Sequence, residues 1–334
     1  MDEHPTVEEE MMRAVRLDAK GGPDDLLWTS VPEPVAGKGQ IRVRLAAAGV
    51  NFIDIYQRGG LYPVEFPFIP GLEGSGVVDQ VGEGVTRWAI GDRVAWFAAT
   101  GSYAELVVVD AEKAVAVPPG LELEAAAACM LQGITAEYLV RDTYHLDAGQ
   151  SCLVHAGAGG VGRLLIQMAA HIGARVFATA GTPEKQQIAR DLGAEVVGGY
   201  HDFVDTIEKV AGSRPVDVAY DGVGRATFEG DLRVVRRFGT IVLFGQSSGS
   251  VAPLDLQELN RNGSLFVTRP SIFHYAAARE DLERYTTAVF EAVQEGWLDV
   301  FVGGRYPMNE ASSAHKALEA RTTTGKLLLV PPTA

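Results

Sequence analysis

Cysteine is nearly absent from this chain of 334 residues: only Cys129 and Cys152 occur. Two thiols build neither a disulfide framework nor a four-cysteine zinc site within one chain, so both are expected to be buried small apolar side chains. Long apolar runs are missing too. No stretch approaches the roughly 20 uninterrupted apolar residues of a membrane-spanning helix, and no basic segment followed by an apolar one opens the chain. The expectation is a cytoplasmic protein with no membrane insertion. Basic residues are the minority, 29 against 43 acidic, for a formal charge of -14. That field disfavours nonspecific attraction to polyanions, so no nucleic-acid partner is expected, although a local basic pocket for a phosphate is compatible with it. What is present is apolar mass. At 47% hydrophobic residues, a chain of this length is expected to form two domains.

Residues 1–12 begin MDEHPTVEEE, polar, acidic and without apolar periodicity, and read as a disordered extension. Over 13–134 the text is short apolar runs broken by glycine and proline, among them QIRVRLAAAGVN, DRVAWFA and YAELVVVD. Such runs predict a strand-rich, barrel-like domain. Over 135–270 the rhythm becomes strand, helix, strand: SCLVHAGAGG then VGRLLIQMAAHIG, RVFATAG then PEKQQIARDLG, VDVAYDG then ATFEGDLRVVRRFG, with GTIVLFG and SLFVT after them. That alternation predicts a parallel sheet with crossover helices, hence an α/β protein. Residues 271–334 contain a helical segment, REDLERYTTAVFEAVQEG, and by pattern alone continue the second domain.

The turn Gly157-Ala158-Gly159-Gly160-Val161-Gly162 matches G-x-G-x-x-G. The motif by itself is weak, but here it sits between an apolar strand and an amphipathic helix. In that context glycine permits a tight turn and close approach of a pyrophosphate, to which the helix N-terminus offers N–H groups. An NAD-preferring site usually has an Asp or Glu about 20 residues further on, for the ribose 2'-hydroxyl. None is found: the segment reads Phe177-Ala178-Thr179-Ala180-Gly181-Thr182, with Lys185 just beyond. A missing carboxylate and an added lysine suit a 2'-phosphate, so NADP(H) is favoured. His155 is expected to be packed or bonded to backbone, and Asp217 and Asp221 to serve turns or caps.

The segments AAGVNFIDIYQRGGLYP, PGLEGSGVV, VGEGVTRWAIGDRV, HAGAGGVG, YDGVG, FGQSSG and SLFVTRPS, in that order, resemble the zinc-independent, zeta-crystallin-like quinone oxidoreductases of the medium-chain dehydrogenase/reductase superfamily. The resemblance spans nearly the whole chain after the acidic extension. It implies a GroES-like β-barrel domain over 13–134, a doubly wound Rossmann domain over 135–270, and a closing segment, 271–334, that returns to the barrel domain. It also implies NADPH as cofactor, hydride transfer to a quinone, and a homodimer formed through SLFVT. Zinc-dependent alcohol dehydrogenases of that superfamily have a cysteine at the position of Asn51 and a histidine-glutamate pair at Leu72-Glu73. Asparagine and leucine do not replace thiolate and imidazole, and the four-cysteine loop expected after GDRV is absent, so no metal is expected and Glu73 reads as structural.

Residue by residue, the resemblance implies that Asn51, Asp54 and Tyr56 border the nicotinamide and its ribose, with Thr135 nearby. Gly157, Gly159, Gly160, Val161 and Gly162 would hold the pyrophosphate. Phe244, Gly245, Gln246, Ser247 and Ser271 would line the nicotinamide end, and Gly181, Thr182, Lys185, Tyr200 and Arg321 would surround the adenosine 2'-phosphate. Asn51 and Tyr56 are the candidate catalytic residues, with water or Tyr56 as the proton source. Two alternatives stay open: reduction of an enone or enal double bond, and a noncatalytic NADPH-binding protein in a structural or RNA-binding role.

Overall fold

The apolar runs of the first hundred residues become strands. The computed structural model describes residues 10–332. It divides into two units: one holds the chain up to Met130 with Val302–Thr323 and the tail from Leu327, the other Leu131–Phe301 with Thr324–Lys326.

The first unit opens with β1 (Met11–Arg16), antiparallel to β2 (Leu27–Pro32). Met11 and Met12 therefore leave the extension assigned to 1–12. Met12 and Ala14 point inward against Val31, Ala104 and Leu106, a period of two that holds the strand. Residues 1–9 lie outside the described residues. Next come β3 (Gln40–Val50), helix α1 (Phe52–Arg58), β4 (Glu73–Val81), β5 (Arg93–Phe97), β6 (Leu106–Asp110) and β7 (Ala114–Ala116). Ile41, Val43 and Leu45 of β3 are buried while Arg42 and Arg44 between them point away, so one face of the strand joins a core around Trp96 and Tyr103. Helix α2 (Leu123–Tyr138) runs from the first unit into the second.

The second unit alternates as predicted. Strands β8 (Ser151–Val154), β9 (Arg175–Thr179), β10 (Val196–Gly198) and β11 (Val216–Asp221) are separated by α3 (Gly160–Ile172), α4 (Pro183–Asp191) and α5 (Phe203–Ala211). Then follow α6 (Phe228–Val234), β12 (Val235–Leu243), α7 (Leu256–Arg261) and β13 (Phe266–Thr268). The sheet order is β10-β9-β8-β11-β12-β13, every neighbour parallel. Cys152, Leu153 and Val154 are wholly buried, as a parallel sheet covered on both faces requires. Cys129 in α2 is buried too, so both cysteines behave as core residues. The helix expected across ATFEGDLRVVRRFG stops at Val234, because Val235 already pairs with Val216 as the start of β12.

The return to the first unit comes later than residue 271. Helices α8 (Ile272–Tyr275) and α9 (Arg279–Gln294) stay in the second unit, where Tyr275 stacks on Tyr138 at 4.3 Å and Tyr285 meets the same ring edge-on. The crossing falls at β14 (Val302–Pro307), followed by α10 (Ala311–Glu319) and β15 (Lys326–Val330). Through Leu327 to Leu329, β15 lies antiparallel to Val50 to Ala48 of β3, completing a sheet ordered β14-β15-β3-β4-β5-β7 with β6 also on β3. Among the described residues no helix is long and apolar enough to cross a membrane.

Candidate active site

Between β8 and α3 the chain makes the glycine-rich turn. Ala156 takes a left-handed φ of 54°, the Gly157 N–H donates to Thr179 O at 2.8 Å, and Gly159 caps α3. The three motif glycines do different work. A Cβ on Gly157 would stand 2.9 Å from Ile166 Cδ1, and one on Gly162 would overlap the Ala156 carbonyl oxygen and lie 3.0 Å from Gly157 Cα. These two allow helix and strand to pack. A Cβ on Gly159 would meet only Ala156, its oxygen at 3.2 Å, so otherwise the approach to the first N–H groups of α3 is open. Those groups lack intrahelical acceptors and carry the positive end of the helix dipole, an arrangement that fits a pyrophosphate. Val161 continues the first turn of α3, half-buried.

Two neighbours of this turn were not legible beforehand. The Gln132 carboxamide lies where a Cβ of Gly160 would be, and the Gly325 N–H donates to Ala158 O at 3.0 Å while bridging Gly159. Neither belongs to a local motif; their only signal is tertiary.

The order of the parallel strands reverses direction between β8 and β11, and ligands of such sheets bind at the carboxyl ends flanking that point. Most of the expected second-unit cofactor residues fall along this edge. Beyond β9, Thr182 caps α4 by accepting from the Lys185 N–H at 3.3 Å, and Tyr200 Cε2 would stand 3.5 Å from a Cβ on Gly181. Partial burial lowers the pKa of Lys185. Beyond β12, the Phe244 N–H donates to Asp221 O at 2.9 Å and Ser247 N–H to Gly222 O at 3.1 Å, fastening Phe244–Ser247 to the turn after β11. Gly245 packs against Gly222 so closely that a Cβ would lie 2.6 Å from its carbonyl oxygen. Ser271 follows β13 and caps the short α8. Thr135 donates its hydroxyl to Leu131 O at 2.6 Å within α2. Arg321 belongs to the first unit, and Gly181, Thr182, Lys185 and Tyr200 to the second.

Under the edge lies a polar core. His155 is packed as expected, yet its partners are side chains: Nδ1 to Thr179 Oγ1 at 2.8 Å and Nε2 to Asp231 Oδ1 at 2.7 Å. Burial opposes the charged imidazole, but the Asp231 carboxylate outweighs it and leaves the pKa of His155 raised. Burial pushes the Asp231 carboxyl up to about 7. Asp221 is wholly buried and serves its turn, accepting from Val223 N–H at 2.6 Å, Gly224 N–H at 2.9 Å and Thr227 Oγ1 at 2.9 Å. Asp217 departs from the expectation of a turn or cap: it reaches across strands, accepting from Ser151 N–H at 2.7 Å, and pairs with Arg236.

In the first unit Asn51 precedes α1 as its N-cap and is 5% exposed. Its Nδ2 donates to Glu73 Oε1 at 2.6 Å, so Glu73, wholly buried, has the structural role expected of it. Tyr56, partly buried on the same helix, packs edge-on against Tyr62 at 5.5 Å. Asp54, on the same helix, bonds within the first unit. It is wholly buried, and Oδ2 accepts from Asn51 N–H at 2.8 Å and from the Tyr103 hydroxyl at 3.0 Å. As the third residue of α1, its carboxylate turns back to the N-terminus of the helix, where the orphan N–H group is.

Comparison with known proteins gives two family models: residues 37–119 match the alcohol dehydrogenase GroES-like domain and residues 160–289 the zinc-binding dehydrogenase family. A quinone oxidoreductase of Pseudomonas aeruginosa is 40% identical over 96% of this chain and 100% of its own length. A 2-haloacrylate reductase of Burkholderia is 37% identical over 96% of this chain and 99% of its own. Among solved structures, the quinone oxidoreductase of Escherichia coli complexed with NADPH superimposes with a TM-score of 0.93, at 38% identity, covering 96% of this chain and 100% of that one.

Proposed function

The chain belongs to the quinone oxidoreductases of the medium-chain dehydrogenase/reductase superfamily, and we propose that it passes a hydride from NADPH to a quinone without a metal ion. The observation that carries this reading is the open approach at Gly159 to the N-terminus of α3, on the carboxyl edge of the parallel sheet. When bound there, NADPH supplies the hydride. The chain's own residues bind and orient: the first N–H groups of α3 take the pyrophosphate, Lys185 and Tyr200 the 2'-phosphate, and Phe244–Ser247 the nicotinamide end. Asn51 and Tyr56 position the nicotinamide and the acceptor. A metal-free site agrees with Asn51 committing its amide to Glu73 and with a buried leucine, Leu72, beside it. Reduction of an activated carbon-carbon double bond is a second reading, favoured by the 2-haloacrylate reductase among the relatives.

NADPH oxidation by the purified chain, with a quinone panel, an enone panel and no acceptor, tests this. Quinone turnover that survives a chelator is expected. Turnover with enones alone would select the second reading, and none with either panel would overturn both.

Lys185→Ala is expected to weaken NADPH binding about tenfold and leave NADH binding unchanged, because only NADPH offers a 2'-phosphate for a charge-assisted contact. Calorimetric titration of both cofactors checks it; equal or tighter NADH binding by the unaltered chain refutes the preference. Tyr56→Phe is expected to keep most quinone turnover, whereas a loss on the order of 100-fold in the chemical step would make the hydroxyl the general acid.

The proposal includes a homodimer across β13, a sheet-edge strand whose Phe266 is 63% exposed. Light scattering that finds a monomer at micromolar concentration would remove it.

A further inference from the structure

From Arg58 inward, a buried line of hydrogen bonds runs through the first unit in a single direction. Arg58 Nη2 donates to Glu319 Oε1 at 2.5 Å, and Arg58 Nη1 contacts His315 Nδ1 at 3.1 Å. A guanidinium only donates, so Nδ1 of His315 is an acceptor and carries no proton. Burial and the charge of Arg58 hold the His315 pKa down to about 3, so at working pH the ring is neutral and its hydrogen sits on Nε2. That nitrogen lies 3.2 Å from the Tyr103 hydroxyl, which must accept from it. Tyr103 in turn gives its own proton to Asp54 Oδ2, the oxygen that also takes the Asn51 N–H. His315, Tyr103 and Asp54 are wholly buried, and Arg58 is 3% exposed. Desolvation and the neighbouring Asp54 carboxylate raise the pKa of Tyr103 well above the ordinary phenol, so the donor at this step is constant.

We infer that His315 and Tyr103 are positioning residues for the reaction, acting through Asp54 to fix Asn51 at the head of α1. The inference rests on the reading that puts Asn51 at the nicotinamide. Its physical content is selection of one arrangement. Asn51 is held at its backbone N–H by Asp54 and at its side-chain amide by Glu73, and each holder is buried. Glu73 opens β4, while Asp54 is oriented from a helix, α10, that arrives at the end of the chain. Nothing near NFIDIY in sequence reveals this. Loss of the Tyr103 hydroxyl leaves His315 Nε2–H without its acceptor and Asp54 Oδ2 with one donor fewer, and a displaced Asn51 costs rate because reacting groups tolerate little misplacement.

The experiment is a double-mutant cycle on kcat, with NADPH affinity and thermal unfolding measured on each variant. Asn51→Ala is expected to lower kcat for quinone reduction. Tyr103→Phe, which keeps the ring, is expected to lower kcat about tenfold with the Kd for NADPH within twofold, and the double variant to be no slower than Asn51→Ala. His315→Gln, which retains a donor near the Nε2 position, is expected to recover activity relative to His315→Leu. Unchanged kcat in folded Tyr103→Phe, or effects that multiply in the double variant, would overturn the inference. If Tyr103→Phe does not fold, the same cycle with His315→Leu and His315→Gln decides it, and equal kcat for those two counts against. Unchanged kcat in Asn51→Ala would instead remove the placement of Asn51 on which the inference stands.

Discussion

Gly162→Ala should cost at least 100-fold in NADPH affinity and about 2–4 kcal/mol in stability, the scale of overpacking against atoms that cannot yield. The new methyl would overlap the carbonyl oxygen of Ala156 and press on Gly157 Cα, both main-chain atoms of the turn itself. Relief requires α3 to slide away from β8, which removes the helix N-terminus from the pyrophosphate. Gly159→Ala is the informative contrast. Its methyl meets only Ala156, so the fold should lose about 1 kcal/mol or less, yet it stands on the approach to α3 and should still weaken NADPH tenfold or more. Thermal melts and NADPH titrations separate the two: an unaltered Gly159→Ala affinity would show that the pyrophosphate does not bind here, and equal Tm for the two variants would refute the packing account of Gly162.

Asp221→Ala should remove about 3–5 kcal/mol of stability, from loss of the acceptor for two backbone N–H groups and a hydroxyl in a site without solvent access. Asp221→Asn keeps one carbonyl oxygen for Val223 and Gly224 and should lose less than half as much. The same turn carries the backbone acceptors for Phe244 and Ser247, so NADPH affinity should fall along with stability in the alanine variant. Urea unfolding gives the difference, and an alanine variant within 1 kcal/mol of the unaltered chain would refute the account.

The alternation of strand and helix over the second unit was readable because each apolar run there is bounded by glycine or proline and each helix has its own amphipathic period. The glycine-rich turn was readable for the same reason: its requirement is local, imposed by Ala156, Gly157 and Gly162 on one another. The end of α6 was not, since Val234 and Val235 continue the helical text and only pairing with Val216 ends the helix. Nor was the position of the crossing back to the first unit, which depends on Tyr275 finding Tyr138 across more than a hundred residues. Asp54 shows the limit most sharply. Sequence assigns it to the site with Asn51 and Tyr56, but its bond to the Tyr103 hydroxyl comes from a residue 49 positions away that no local text points to.

Because β15 follows Leu131–Phe301 in the chain and seats on β3, the first unit is unfinished while the second is being synthesised. Nearly all of the second unit, Leu131–Phe301, has left the ribosome's active centre before β14, α10 and β15 are made. Its parallel sheet needs no strand from the tail, whereas β3 waits through the whole of that interval with a neighbour missing. During translation the barrel unit is therefore the one with an exposed, apolar pairing edge, and the demand on chaperones falls on the segment made first rather than the one made last.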